Sequence, residues 1–581
     1  MDTRTLRIAL AALLALAPLA SAQSLADETG LTALRRRLGS AAPSGAGVIV
    51  GQVEASAPGW TPDASFPEFA GKSFTFASPA PSSSGHATVV GQFLYGNTTS
   101  LAPAISSVHC WEASNWLGGG FINGTGTTPP LLSPAKILNH SWVGSGSGPN
   151  FVHRKLDSAI DAQGLLVCVG VNNGAGPLDV PLLSHSFNSI SCGRSDGQHR
   201  AGFTLTGYDR PGRQKPELVA PAGATSYSTP LVSGACALLV QSARTSLPGN
   251  PDAERPEVVK AALMAGATHR PGWSNSAPTS GASRGATTTP LDMIYGADQI
   301  HVDRSHWILT AGEQAGAASA AAAPLVDPQG WERAQIATGS SRFWRFTVES
   351  HKEHASVLAT WNRQVTPTFN GWSQPNFDLE LWRVDAQGAL ASLVGLLGQP
   401  HFGGGNVLSQ SSVDNLEHLY VRDLQPGEYV LELRRGADAL APWNVALAWE
   451  FACDAPAVFG SGKVGSSGSE ARLDFRGIPS RSGGGFHLEL RGGTPHANGV
   501  LFHGVTQAAI PFYGGTRYVG NPLVRSGVIT LDAQGALDVP LAIDPAWVGS
   551  SRVFQFWFRD AAAPDGTGVG LTNAVRVSFC R

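Results

Sequence analysis

Residues 136–171 constrain the fold more than any other stretch. "KILNHSWV" (136–143) is apolar and short. The following "FVHRKLDSAIDAQ" repeats Val152, Leu156 and Ile160 on one helical face, and "GLLVCVGV" (164–171) is the unbroken apolar run of a strand buried on both sides. A strand, a helix and a buried strand in that order imply a right-handed crossover between parallel strands. Similar alternation extends from about residue 47 to 311, which predicts an α/β domain with a parallel sheet flanked by helices. The Ala-rich stretch 315–323 reads as part of a linker, and beyond it the pattern is that of strands.

A chain of 581 residues is too long for one core, and about two to four domains are expected. After the linker (313–330), runs such as "FWRFTVES", "FDLELWRVD" and "EYVLELRR", separated by turn signals such as "QPGE", predict a β-sandwich over 331–452. "FHLELRGG" and "RVFQFWFRD" predict a second β-rich domain over 453–581. At the other end, Arg4 and Arg7 precede an apolar run and the small residues "ASA" at 20–22, the order of a secretory signal over 1–22, followed by a short segment over 23–44. Export and the absence of a membrane-spanning run are therefore expected. Of the six cysteines, Cys453 and Cys580 could clamp the last domain, whereas Cys168 and Cys236 sit in apolar contexts suited to buried thiols. A net charge of -3 gives no electrostatic reason to expect nucleic acid as a partner.

The chemistry concentrates in "KPELVAPAGATSYSTPLVSGACALLV" (215–240). Ser226 opens a helix-compatible run with Pro230 in its first turn, where backbone amides and the helix dipole favour developing negative charge. Taken alone, Ser226 would read as a helix cap. The whole stretch, however, resembles the nucleophile region of the subtilisin-like serine proteases. In the order that family shows, "SSGHATVVG" supplies His86, "ILNHSWVG" supplies Ser141, Trp142 and Val143, and "GVNNG" supplies Asn172 after Val171. "GVIVGQVEAS" (47–56) ends its apolar strand on Glu54, where the family has its acid.

The resemblance implies a subtilisin-like catalytic domain over 45–312 and a secreted serine endopeptidase acting on protein or peptide substrates. Ser226 would be the nucleophile, His86 the general base and acid, Glu54 the orienting carboxylate, and Asn172 an oxyanion donor. Ser141, Trp142, Val143 and Val171 would line the substrate cleft, with Trp142 and Val171 narrowing its primary pocket toward small or flat side chains. No cofactor is required. Structural calcium is known in the family but assigned to no residue here.

Four substitutions depart from the family pattern. Glu54 replaces Asp and reaches one methylene further. Val171 and Ala224 replace glycines, which can take positive φ, and Ala87 replaces the glycine after the histidine. Asp63, in a downstream "PD" turn, is the alternative carboxylate. The competing expectations are a catalytically silent subtilase fold used for binding, and a protein whose aromatic-bearing β-domains contact a cell surface or polysaccharide.

Overall fold

The computed structural model describes residues 24–144, 149–179, 182–348, 352–395, 401–452, 456–476, 479, 485–548 and 550–579. The signal at 1–22 and the Cys453–Cys580 clamp lie outside these residues.

Seven strands form the first sheet: Ile49–Glu54 (β1), Ser73–Phe76 (β2), Ser107–Glu112 (β3), Ile137–His140 (β4), Leu166–Gly170 (β5), Ile190–Arg194 (β6) and Leu218–Ala220 (β7). Their order is β7-β6-β5-β4-β1-β3-β2, and every neighbouring pair is parallel. β4 and β5 are buried along their whole length; β5 accordingly reads as a continuous apolar run, while β4 buries Asn139 and His140 after Ile137 and Leu138. The helix expected between them is Pro149–Gln163. With Leu25–Glu28 as α1, Leu31–Leu38 as α2 and Gly85–Tyr95 as α3, it becomes α4; Thr225–Ser246 (α5), Pro256–Ala265 (α6) and Val302–Thr310 (α7) complete the set used below. This is the expected subtilisin-like architecture.

β2 and β3 lie on one side of β1, and β4 to β7 on the other. Connections therefore diverge at the carboxyl ends of β1 and β4, where open α/β sheets bind their ligands. The segment before β1 is packed rather than loose: Arg37 on α2 donates to Asp303 on α7 at 2.7 Å.

The β-sandwich has two sheets, antiparallel except where Ala286–Thr287 runs parallel to Leu408–Ser409. One contains Gln329–Ile336 (β8), Trp443–Ala452, Lys352–Thr360 and Leu416–Leu424. The other contains Ser341–Val348, Gly427–Arg435 and Phe377–Val384, and it extends through Leu408–Ser409 to Ala286–Thr287, a strand contributed from upstream of the linker. The Ala-rich stretch is itself hydrogen-bonded to the sandwich, Ala317 exchanging two backbone bonds with Phe343 at 2.8 and 2.9 Å. Leu358, Leu416, Ala446 and Ala448 of the sandwich share one apolar cluster with Val258, Ala262 and Ala265 of α6. A further β-rich unit follows, whose sheet includes Asn498–Gly504, Ser551–Arg559 and Val569–Ser578. It meets the N-terminal segment through an ion pair of 2.9 Å between Arg36 and Asp474.

Cys110, Cys168, Cys192 and Cys236 are buried free thiols, with the Cys168 and Cys236 sulfurs 3.9 Å apart. Among the described residues, no helix is long and apolar enough to cross a membrane.

Candidate active site

Glu54 is the last residue of β1 and is only 1% exposed. A carboxylate so buried needs partners. Its Oε2 accepts from His86 Nδ1 at 3.0 Å, and its Oε1 accepts from Gln52 Nε2 at 3.2 Å. His86 stands in the first turn of α3, whose N-cap, Ser84, accepts from the Ala87 amide. The longer glutamate thus reaches the imidazole directly. The hydrogen bond to Glu54 holds the His86 pKa above the ordinary imidazole value, with partial burial opposing it. Asp63 is exposed, and its carboxylate is taken up by Ser65 at 2.7 Å and 3.0 Å.

Ser226 is the second residue of α5 and is half-buried. The N-cap residue, Ala224, offers no side-chain acceptor; the Thr225 amide donates instead to Asn173, and the Tyr227 amide to the Ala224 carbonyl at 2.9 Å. The next residue, Tyr227, brings its ring 6.5 Å from the His86 ring and stacks on Phe93 of α3 at 5.3 Å. Tyr227 thus brings the start of α5, where Ser226 stands, against α3 and its His86. The approach to α5 is anchored by a buried cluster in which Glu217 accepts from Lys215 and Lys260, each at 2.8 Å. Burial pushes the Lys215 ammonium down to about 8.

Ser141, just past β4, donates through Oγ to the Ser226 carbonyl at 2.9 Å and accepts from Asn139 at 2.9 Å. This explains why β4 stops at His140, short of the predicted apolar run. Val143 is exposed. The Trp142 indole nitrogen donates to His140 at 3.2 Å, and its ring belongs to an apolar cluster with Trp116 and Leu138. Val171 is also fully buried.

Asn172 donates to Asp179 at 2.6 Å, and its neighbour Asn173 accepts the Thr225 amide at 2.9 Å, tying this loop to the start of α5. The replaced glycines cause no strain. Ala224 is extended, at φ -151 and ψ 154, and Val171 is not among the residues with positive φ.

Four residues near the site escaped the sequence reading: Gln52, Tyr95, Asn173 and Tyr227. Gln52 had a legible signal, a polar residue inside an apolar strand and two positions from Glu54, hence on the same face. The other three depend on tertiary approach. Among the described residues, no group of three or more His, Cys, Asp or Glu could hold a metal ion.

Residues 73–281 match the model of the subtilase family (peptidase S8). Among solved structures, the chain is similar to the MycP3 protease of the type VII (ESX-3) secretion system, at 13% identity over 48% of this chain and 87% of that one, with a TM-score of 0.31. It is also similar to the serine protease MycP1 of the ESX-1 system, at 14% identity over 50% and 90% of the two chains, with a TM-score of 0.29. No curated protein matches the chain.

Proposed function

We propose, from the membership of residues 73–281 in the subtilase family, that this chain is a secreted serine endopeptidase that cleaves protein substrates through an acyl-enzyme on Ser226. The observation that carries the reading is the 3.0 Å hydrogen bond between Glu54 and His86, on a helix that packs against the helix opened by Ser226 through Tyr227 and Phe93.

In the proposed reaction Ser226 Oγ attacks the scissile carbonyl carbon while its proton passes to His86 Nε2. Glu54 holds Nδ1–H, keeps the imidazole in the useful tautomer and stabilises the imidazolium. The Ser226 amide and Asn172 Nδ2 stabilise the oxyanion, each such donor contributing about 100- to 1000-fold in rate. Collapse breaks the C–N bond, and the amine leaves with the proton from His86. Water then attacks the acyl carbon as its proton passes to His86, and collapse breaks the C–Oγ bond, releasing the acid while Ser226 Oγ takes the proton back from His86. This chain's own residues suffice for each step, with no cofactor. Export is proposed from the charged, apolar and small-residue order of residues 1–22.

The Asn172–Asp179 hydrogen bond favours a second reading, a silent subtilase fold used for binding, because it engages one of the two Nδ2 protons and orients the amide toward Asp179. A fluorophosphonate probe separates the two. The protease reading expects covalent labelling of the wild type that disappears in Ser226→Ala. A folded wild type that takes no label would leave the binding reading standing.

A further inference from the structure

We infer that Gln52 and Tyr95 are positioning residues that lock the Glu54 carboxylate against His86 and so let a glutamate serve as the orienting acid. This deepens the protease reading and rests on it for its catalytic meaning.

The three side chains form a closed hydrogen-bond chain. Tyr95 Oη donates to Gln52 Oε1 at 2.6 Å, while Gln52 Nε2 donates to Glu54 Oε1 at 3.2 Å and to the Ala87 carbonyl at 2.8 Å. Gln52, Glu54 and Tyr95 are each no more than 1% exposed, so water does not substitute for these partners.

The amide has one self-consistent orientation. Burial pushes the Tyr95 phenol well above its ordinary pKa, so it stays protonated and donates. The amide oxygen must therefore face Tyr95, and both N–H groups must face the two remaining acceptors, Glu54 and Ala87. Flipping the amide would set its oxygen against a carboxylate and a carbonyl while the Tyr95 hydroxyl lost its acceptor.

The consequence is mechanical. Gln52 and Glu54 lie two apart on β1, hence on one face. Ala87 follows His86 in the first turn of α3, and Tyr95 is the last residue of the same helix. Through one amide, the strand bearing the acid is thus tied to both ends of the helix bearing the base. Glutamate has one more rotatable bond than aspartate, and with one oxygen on His86 alone its carboxylate could still swing. Gln52 takes the second oxygen and removes that freedom.

The test is a double-mutant cycle supported by a direct titration of His86. Gln52→Leu should lower kcat by about 10- to 100-fold, the cost of misplacing a catalytic group by about an ångström, with KM little changed. In a Glu54→Gln background the same change should cost no more than about twofold, because Gln52 acts through Glu54. Equal losses in both backgrounds would overturn the inference, since a merely structural role adds independently. Tyr95→Phe keeps the ring and the packing, and should reproduce the kcat loss at smaller amplitude; wild-type kcat in Tyr95→Phe would remove Tyr95 from the mechanism.

His86 can also be titrated by NMR in Ser226→Ala, where no turnover is needed. There the added Gln52→Leu change should lower the His86 pKa as the Glu54 hydrogen bond loosens. An unchanged or raised value would overturn the positioning role. This readout persists even if the wild type takes no fluorophosphonate label, so failure of the protease reading and failure of this inference are distinguishable.

Discussion

Glu54→Gln is expected to lower kcat by about 10⁴-fold while leaving the fold and KM nearly intact. The change is isosteric, and Gln52 Nε2 can still donate to the oxygen of the new amide. What is lost is the charge facing His86 Nδ1. An amide there either presents its own N–H to the imidazole, selecting the tautomer that leaves no lone pair aimed at Ser226, or accepts without stabilising the imidazolium that forms as the serine attacks. Neither arrangement supports proton transfer.

The pH profile gives the same variant a second readout. His86 acts as a base only when neutral, and its hydrogen bond to Glu54 raises its pKa. The wild-type acid limb of kcat/KM should therefore lie above the ordinary imidazole value and that of Glu54→Gln should move to lower pH, since an uncharged partner no longer favours the protonated ring. Activity retained at the wild-type level with an unshifted acid limb would mean that another group orients His86.

The parallel sheet was legible because β5 is buried on both faces and stands out as an apolar run, and because α4 shows its apolar stripe just before it. The candidate residues were legible for a related reason: Glu54, His86 and Ser226 each mark a strand end or helix start and carry a recognisable local context. What escaped depends on approach between distant segments. No local pattern announces that Ala286–Thr287 pairs with Leu408–Ser409, or that the alanine stretch hydrogen-bonds to Phe343 instead of hanging as a tether. The Trp142 hydrogen bond could not be read from the sequence either: past His140 its indole turns back onto that histidine. Gln52 lay in the open, one pleat from Glu54, but a polar residue in a buried strand acquires meaning only once its partners, Tyr95 and Ala87, are known.

The largest stability effect is expected from Arg363→Met. Arg363 belongs to the sandwich, yet its fully buried guanidinium donates to Asp157 on α4 at 2.5 Å and to Asp209 at 2.8 Å, beneath the Phe187 ring at 4.2 Å. Asp157 also accepts from Ser186 and the Asn188 amide, and Asn188 exchanges two hydrogen bonds with the Arg363 backbone. Methionine retains most of the stem's packing but leaves the Asp157 charge buried without its cation, at a cost of about 3–5 kcal/mol. Asp157→Asn added to Arg363→Met should recover part of that loss, because the stranded charge is then gone. The apolar cluster shared by α6 and the sandwich makes the two units unfold together, so urea denaturation followed by tryptophan fluorescence and by loss of fluorophosphonate labelling should show coincident transitions, both shifted in Arg363→Met. If labelling instead survived the fluorescence transition of the sandwich tryptophans, or if Arg363→Met unfolded at the wild-type midpoint, the seam would not be structural. Coincident, shifted curves would mean that the α/β unit carrying His86 and Ser226 depends on the sandwich for its stability, and that cutting the chain near residue 312 removes part of that unit's own core.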